Sequence, residues 1–376
     1  MLQAREQVAS TAQEITHHLM MPTPDSLSHR QIIFRLMGAC NNHCRFCMVN
    51  GELHQNKHPL LSDLSQQLQV LSTGDLVDLF GGEPTIYPKF MDILQLAVDK
   101  KLNVSIASNC RRMADTHLVE HLAQIPSLSV RTSLYGATAD IHDYYTRREG
   151  SFDETISGIS NLVRYGISPL VNILLLPENH RHLLEMVSLL ALHGVHNLKL
   201  SLVYGGKDMK YYIIPLQEVR SSIMKTVDFM CQKGFRLQIE KSPFCLAPPL
   251  LHAFIHESDP EMERSCKQHY THLPVCESCC LKPICRGVLQ TYAHIHSEDG
   301  LLPFPTIPEH SIRRIQPTEF KGYEPRTPTE FIEIISDEGW FDTGEIEILT
   351  EFLIDLNRRF PQTHVVEGTR LACENL

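Results

Sequence analysis

Two groups of cysteines hold the most pointed chemistry in this chain. The first is Cys40-Asn-Asn-His-Cys44-Arg-Phe-Cys47, directly after the apolar run Ile32-Ile33-Phe34-Arg35-Leu36-Met37. The run predicts a buried strand and places the cysteines on the loop that follows it. Thiolates are soft ligands, and a loop of this spacing can wrap three sulfurs around one small inorganic cluster. A four-iron cube has four corners, so three ligands leave one iron open to a further molecule, as an open position does on a catalytic metal. Zinc is the alternative for the same residues. The second group is Cys276, Cys279 and Cys285, with Cys245 upstream as the distant fourth ligand. Cys266 competes with Cys245 for that place, and Cys280 competes within the close set. Four thiolates suit either an iron–sulfur cluster or tetrahedral zinc.

The elements that must position these residues follow from hydrophobic patterning. Strands are predicted at 31–37, 75–80, 103–108, 127–134, 169–176 and 197–203, each rich in Ile, Val, Leu or Phe. Helices are predicted at 60–72, 88–100, 115–124, 153–165, 180–193 and 216–233. Six β-α units in a row imply an α/β fold with a parallel sheet, helices outside, and a curl towards a partial barrel open on one side. Ligands in such folds bind at the carboxyl ends of the strands, which is where the first cysteine loop falls. Strand two runs into Gly81-Gly82-Glu83-Pro84, where two glycines let backbone approach closely and a carboxylate can accept from a cationic amine. Asn109, Ser133 and Asn172 are polar residues on or just past strands three, four and five. For Ser133 and Asn172 the alternative is a satisfied interior polar group.

The Cys40-x3-Cys44-x-Phe46-Cys47 motif, with an aromatic residue before the last cysteine, resembles the signature of the radical S-adenosylmethionine (radical SAM) enzymes. Gly81-Gly82-Glu83-Pro84 is similar to that family's GGEP motif. The resemblance implies a partial (β/α)6, TIM-like barrel and a [4Fe-4S] cluster on Cys40, Cys44 and Cys47 whose free iron chelates SAM. It further implies that Gly81, Gly82 and Glu83 hold the amino group of SAM. Asn109, Ser133 and Asn172 would contact the rest of it. One-electron cleavage of SAM would then give a 5′-deoxyadenosyl radical that abstracts hydrogen from a substrate, with an electron donor such as flavodoxin or ferredoxin. Cys276-x2-Cys279-x5-Cys285-Arg-Gly287 resembles the twitch and SPASM domains, which implies an auxiliary [4Fe-4S] cluster on Cys245, Cys276, Cys279 and Cys285. The pattern is broken at Leu289, where a full SPASM domain carries another cysteine. The expected substrate is a ribosomally made peptide, with small-molecule or cofactor biosynthesis as the alternative. A non-catalytic iron–sulfur or zinc redox sensor is the alternative from another class. The stretch from Ile141 to Phe152 is similar to a loop common in such enzymes, and its Arg147 and Arg148 are either anion-gripping or solvated.

The chain has 376 residues, a net charge of −10 and 12 cysteines. The acidic balance argues against nucleic acid, which calls for a basic surface. No apolar run nears the roughly 20 residues of a membrane span, and the first residues lack the layout of a signal peptide. Cysteines in such numbers then point to metal ligation in a reducing compartment, and the expected location is the cytoplasm. The expected division is a helical extension over 1–28, the core over 29–235, a small Cys-rich domain over 236–315, and a helical tail over 316–376 with apolar spacing at Phe331, Ile332 and Ile335. Prolines between 303 and 328 mark an extended strap.

Overall fold

The computed structural model describes residues 30–47, 58–203, 207–240, 242–254, 269–283, 285–306, 312–315, 330–334 and 363–366, with Phe352, Asp355 and Arg359. The predicted N-terminal helix and Cys266 lie outside these residues. The larger of two compact units runs over His29–Pro248 and His256–Thr306, and the smaller includes Ile307–Leu376.

The larger unit is built on seven strands in sequence order: β1 (Gln31–Met37), β2 (Leu76–Gly81), β3 (Asn103–Ala107), β4 (Leu128–Leu134), β5 (Leu170–Leu174), β6 (Asn197–Ser201) and β7 (Arg236–Glu240). Every neighbouring pair is parallel. β1 and β7 are the two ends of the strand order, so the sheet is open and not a closed barrel. Six strands were expected in the core; the stretch after Phe235, expected as a strand of the segment that follows, is the seventh and pairs with β6. The helices that carry the chain back across the sheet are α1 (Leu61–Leu68), α2 (Phe90–Asp99), α3 (Thr116–Leu122), α4 (Ala139–Thr146), α5 (Ser151–Arg164), α6 (Leu183–Leu192) and α7 (Leu216–Gln232).

Alternation along the strands separates two faces. Leu36, Val77, Leu79, Val104, Ile106, Val171, Ile173, Leu198 and Leu200 are buried, and they form the core with the apolar stripes of the helices. In α5 that stripe is Thr155, Gly158, Ile159 and Leu162, the spacing of one helical face. The opposite face of the sheet is polar. Ser133, Asn172 and Lys199 stand in one register row. The Arg131 guanidinium reaches both carboxylate oxygens of Asp78 at 2.6 Å, and Lys199 pairs with Glu240 at 2.9 Å. A parallel sheet covered by helices on both faces would be apolar on both. This one keeps a polar face of the kind a ligand can use.

Past β7 the larger unit continues as a two-stranded antiparallel sheet, β8 (Tyr270–Thr271) with β9 (Val288–Leu289), and α8 (Gln290–His296). The smaller unit contains β10 (Ile312–Ile315), β11 (Glu330–Ile334) and β12 (Thr363–Val366) in a three-stranded parallel sheet. Here the helical reading of Phe331 and Ile332 is corrected. The two residues lie on β11, with Ile332 fully buried, because the β-branched residues Ile332 and Ile334 alternate along an extended segment.

Candidate active site

The first cysteine loop leaves the carboxyl end of β1 and is held by an extension of the β1–β2 pairing. Gly82 N–H donates to the carbonyl of Met37 at 2.7 Å, and Glu83 N–H to that of Ala39 at 2.9 Å. A Cβ on Gly82 would stand 2.0 Å from the Ala39 carbonyl oxygen. Glycine is therefore required here for the approach of one backbone to another, at the residue just before Cys40.

Glu83 is fully buried and ties three segments together. One carboxyl oxygen accepts from Thr85 N–H (3.1 Å), Thr85 Oγ1 (2.6 Å) and Ser108 Oγ (2.8 Å), and the other from Asn109 N–H (2.8 Å). These contacts brace the loop after β2 against the loop after β3, with three donors on one carboxylate oxygen and the single Asn109 N–H on the other. Asn109 behaves differently. Its side-chain amide donates to Asn41 Oδ1 at 2.6 Å and lies 3.7 Å from Cys40 Sγ, so it touches the cysteine loop directly.

Cys40, Cys44 and Cys47 are brought together on this loop. Burial pushes the Cys44 thiol up to about 12, and the neighbouring Cys40 and Cys47 add to it. Burial likewise raises Cys40 to about 11, against the hydrogen bond from Asn42 N–H at 3.4 Å and with Glu83 and Cys47 pushing the same way. Cys40 and Cys44, held un-ionised by burial beside Cys47, are a fitting ligand set for a cationic metal core, whose positive charge reverses that balance. Phe46 anchors the loop from below. Its ring meets Tyr135 at 4.9 Å, Tyr145 at 5.7 Å and Tyr212 at 6.0 Å, and Tyr145 hydrogen-bonds to Glu178. Backbone bonds from His43 to Thr146 (2.8 Å) and from Arg45 to Tyr145 (2.9 Å) fix the loop to the end of α4. That segment was expected as a loop; it is a helix, and Arg148 just past it donates to the Asn41 carbonyl at 3.2 Å.

Ser133 and Asn172 sit in one register row on the polar face, and Asn172 accepts from Ser201 Oγ at 2.7 Å. Cys110 is fully buried in a left-handed conformation, φ 60°. The residues that sequence reasoning missed are Asn41, Asn42 and Arg111. Arg111 donates to the Asn41 carbonyl and to Asn42 Oδ1 at 3.0 Å. The only available signal was the pair of asparagines inside the cysteine motif.

The second group also converges. Cys245, Cys276, Cys279 and Cys285 all line one pocket, with Phe244, His272, Lys282 and Leu301 among its other walls. Cys280 is exposed and not among them; its N–H is spent on the Phe304 carbonyl at 2.8 Å. Backbone N–H groups already point at the sulfurs: Gly287 to Cys285 Sγ and Phe304 to Cys279 Sγ, each at 3.3 Å. Burial raises Cys285 to about 11 and raises Cys245 as well. Among the described residues no three His, Cys, Asp or Glu side chains close on a single ion. Tetrahedral zinc with Zn–S bonds of about 2.3 Å asks for such closure, whereas a four-iron cube spaces its thiolates more widely.

The site is thus a three-cysteine loop at the carboxyl end of the first strand of a parallel α/β sheet. Residues 34–190 match the family model described as the radical SAM superfamily. The chain is 26% identical over 224 residues to mycofactocin maturase MftC of Mycobacterium tuberculosis (strain H37Rv), covering 58% of this chain and 56% of that protein. It is 29% identical over 136 residues to the AdoMet-dependent heme synthase of Methanosarcina barkeri, covering 35% and 39% of the two chains. The aligned part thus spans little more than half the length of the maturase. In fold it is similar to Streptococcus suis SuiB bound to S-adenosylmethionine, with a TM-score of 0.52, 14% identity, and coverage of 73% of this chain and 76% of that one. Among the described residues no helix is long and apolar enough to cross a membrane.

Proposed function

We propose that the chain is a radical SAM enzyme that matures a peptide. The observation that carries this reading is the clamped first loop: Cys40, Cys44 and Cys47 gathered at the carboxyl end of β1, in a stretch that matches the superfamily model. These three cysteines hold a [4Fe-4S] cluster with one iron left for SAM. The backbone of Gly81 and Gly82, the amide of Asn109, and the polar-face residues Ser133 and Asn172 form the SAM side of the site. Glu83 serves by fixing the two loops that carry Gly82 and Asn109. When bound, the cluster and SAM supply one-electron chemistry that ends in removal of a hydrogen atom from the substrate. The chain's own part is to orient both and to keep water away, which the Phe46–Tyr135–Tyr145 packing does on one side.

Cys245, Cys276, Cys279 and Cys285 hold an auxiliary cluster within a SPASM-like segment. A reducing cytoplasm and a one-electron donor such as flavodoxin or ferredoxin complete the requirements. The maturase relatives support a peptide substrate; the similarity to a heme synthase supports small-molecule biosynthesis as the second reading. The test is anaerobic purification, cluster reconstitution, and addition of dithionite and SAM. Release of 5′-deoxyadenosine is expected. A fully loaded, reduced preparation that releases none overturns the enzyme and leaves a redox sensor. Candidate precursor peptides are then scored by mass change; turnover of a small molecule alone favours the second reading.

A further inference from the structure

Arg111 lies in the turn after β3 and reaches into the bend between Cys40 and Cys44. Its guanidinium donates to the Asn41 carbonyl and, at 3.0 Å, to Asn42 Oδ1, while the N–H of that same Asn42 donates to Cys40 Sγ at 3.4 Å. Its side chain is only 11% exposed, and on its outer side Nε meets Glu154 of α5 at 2.5 Å, a carboxylate that is 48% exposed. The position is over-determined. Arg111 N–H donates to Asn109 Oδ1 at 3.1 Å, Thr155 Oγ1 donates to the Asn109 carbonyl at 3.1 Å, and a Cβ on Gly158 would stand 2.1 Å from the Cys110 carbonyl oxygen, so α5 presses directly on this turn. Among the described residues, other charges near the bend include Arg148, which is exposed, Arg45 within the loop, and Glu83, on the far side of Asn109.

We propose that Arg111 is a positioning residue that sets the reduction potential of the cluster held by Cys40, Cys44 and Cys47, with Glu154 as its opposing charge. The proposal rests on the radical SAM reading. Reduction adds one negative charge to the cluster and its thiolates. A fixed cation sheltered from water favours the reduced form, and a fixed anion beside that cation weakens the effect. Arg111 and Glu154 therefore act with opposite sign through one guanidinium, which a purely structural clamp does not do.

The test uses the full chain, loaded anaerobically and poised with dithionite and redox mediators. The oxidised cluster takes one electron from dithionite, and no bond is made or broken. Electron paramagnetic resonance follows the signal that changes shape when SAM is added, which selects the first site over the second. In Arg111→Gln the ratio of reduced to oxidised cluster at a fixed potential falls about tenfold, a midpoint about 59 mV lower. Arg111→Lys keeps most of the wild-type value. In Glu154→Gln the ratio rises about threefold, a midpoint about 28 mV higher. Iron per chain is measured in each. If Arg111→Gln fails to load, the Glu154→Gln shift alone decides. Midpoints that do not move, or that move in the same direction in both variants, overturn the proposal. A wild-type chain with no SAM-sensitive signal overturns the radical SAM reading and this proposal with it.

Discussion

The two cysteine sites are built by different means. The first is an outgrowth of the sheet: β1 delivers Cys40, and hydrogen bonds from Gly82 and Glu83 carry the strand pairing onward into the loop. The second does not continue the large sheet, and its backbone bonds are local to its own turns, as in Cys276 N–H to the Leu273 carbonyl and Cys285 N–H to that of Leu281. Its cysteines come from Phe244–Leu246, from the turn Pro274–Ser278 and from the chain just before β9, and they are arranged around a pocket by N–H groups aimed at sulfur. A frame of backbone bonds fixes position without a bound group. A ring of loops takes much of its order from whatever the sulfurs hold. The first site should thus be sensitive to backbone geometry, the second to loss of a ligand.

Single substitutions separate the two sites. The largest contrast is between Cys44→Ala and Cys276→Ala. Each loses about four irons per chain, but only Cys44→Ala abolishes SAM cleavage; iron analysis and 5′-deoxyadenosine assays read both. Gly82→Ala forces a Cβ against a carbonyl oxygen 2.0 Å away, with a cost of about 3 kcal/mol and loss of iron from the first site alone. The pH dependence of folding also belongs to the first site. Buried His142 accepts from Tyr135 N–H through Nδ1, leaving Nε2 as a buried donor with no partner, and burial holds its pKa down at about 4 against 6.5 when free. Between those values the unfolded chain binds the proton and the folded chain does not, so stability falls as pH drops from 6.5 towards 4. The loss amounts to at most about 3 kcal/mol, and His142→Gln should flatten that limb of a melting-temperature profile. Ser108→Ala removes one donor to Glu83 and costs about 1 kcal/mol in chemical denaturation. Cys280→Ala should leave the iron count unchanged; a drop would place that thiol inside the second site.

The sheet was legible because each strand is a short apolar run and each helix an amphipathic stretch of ordinary length. α4 was hidden: His142, Asp143, Tyr144, Tyr145 and Thr146 show no apolar stripe, yet His142, Tyr145 and Thr146 are the face that is buried. β11 was misread because apolar residues at 331, 332 and 335 also satisfy helical spacing. Cysteine spacing pointed to the two groups of cysteines that the structure gathers, since ligand geometry constrains sequence separation. The contacts that set the first site did not announce themselves. Arg111 meets Asn41 across 70 positions of chain, and Glu83 turns inward because Ser108 and Asn109 come to it from another strand. No local pattern records which way such a carboxylate points.

The bonds that shape the first loop run from protein to protein: Gly82 to Met37, Glu83 to Ala39, Asn109 to Asn41, His43 to Thr146. A mould of this kind survives the loss of its casting. Oxygen that destroys the cluster should leave a chain still folded and ready to be refilled, so that repair needs only iron, sulfide and reductant, with no help from a chaperone.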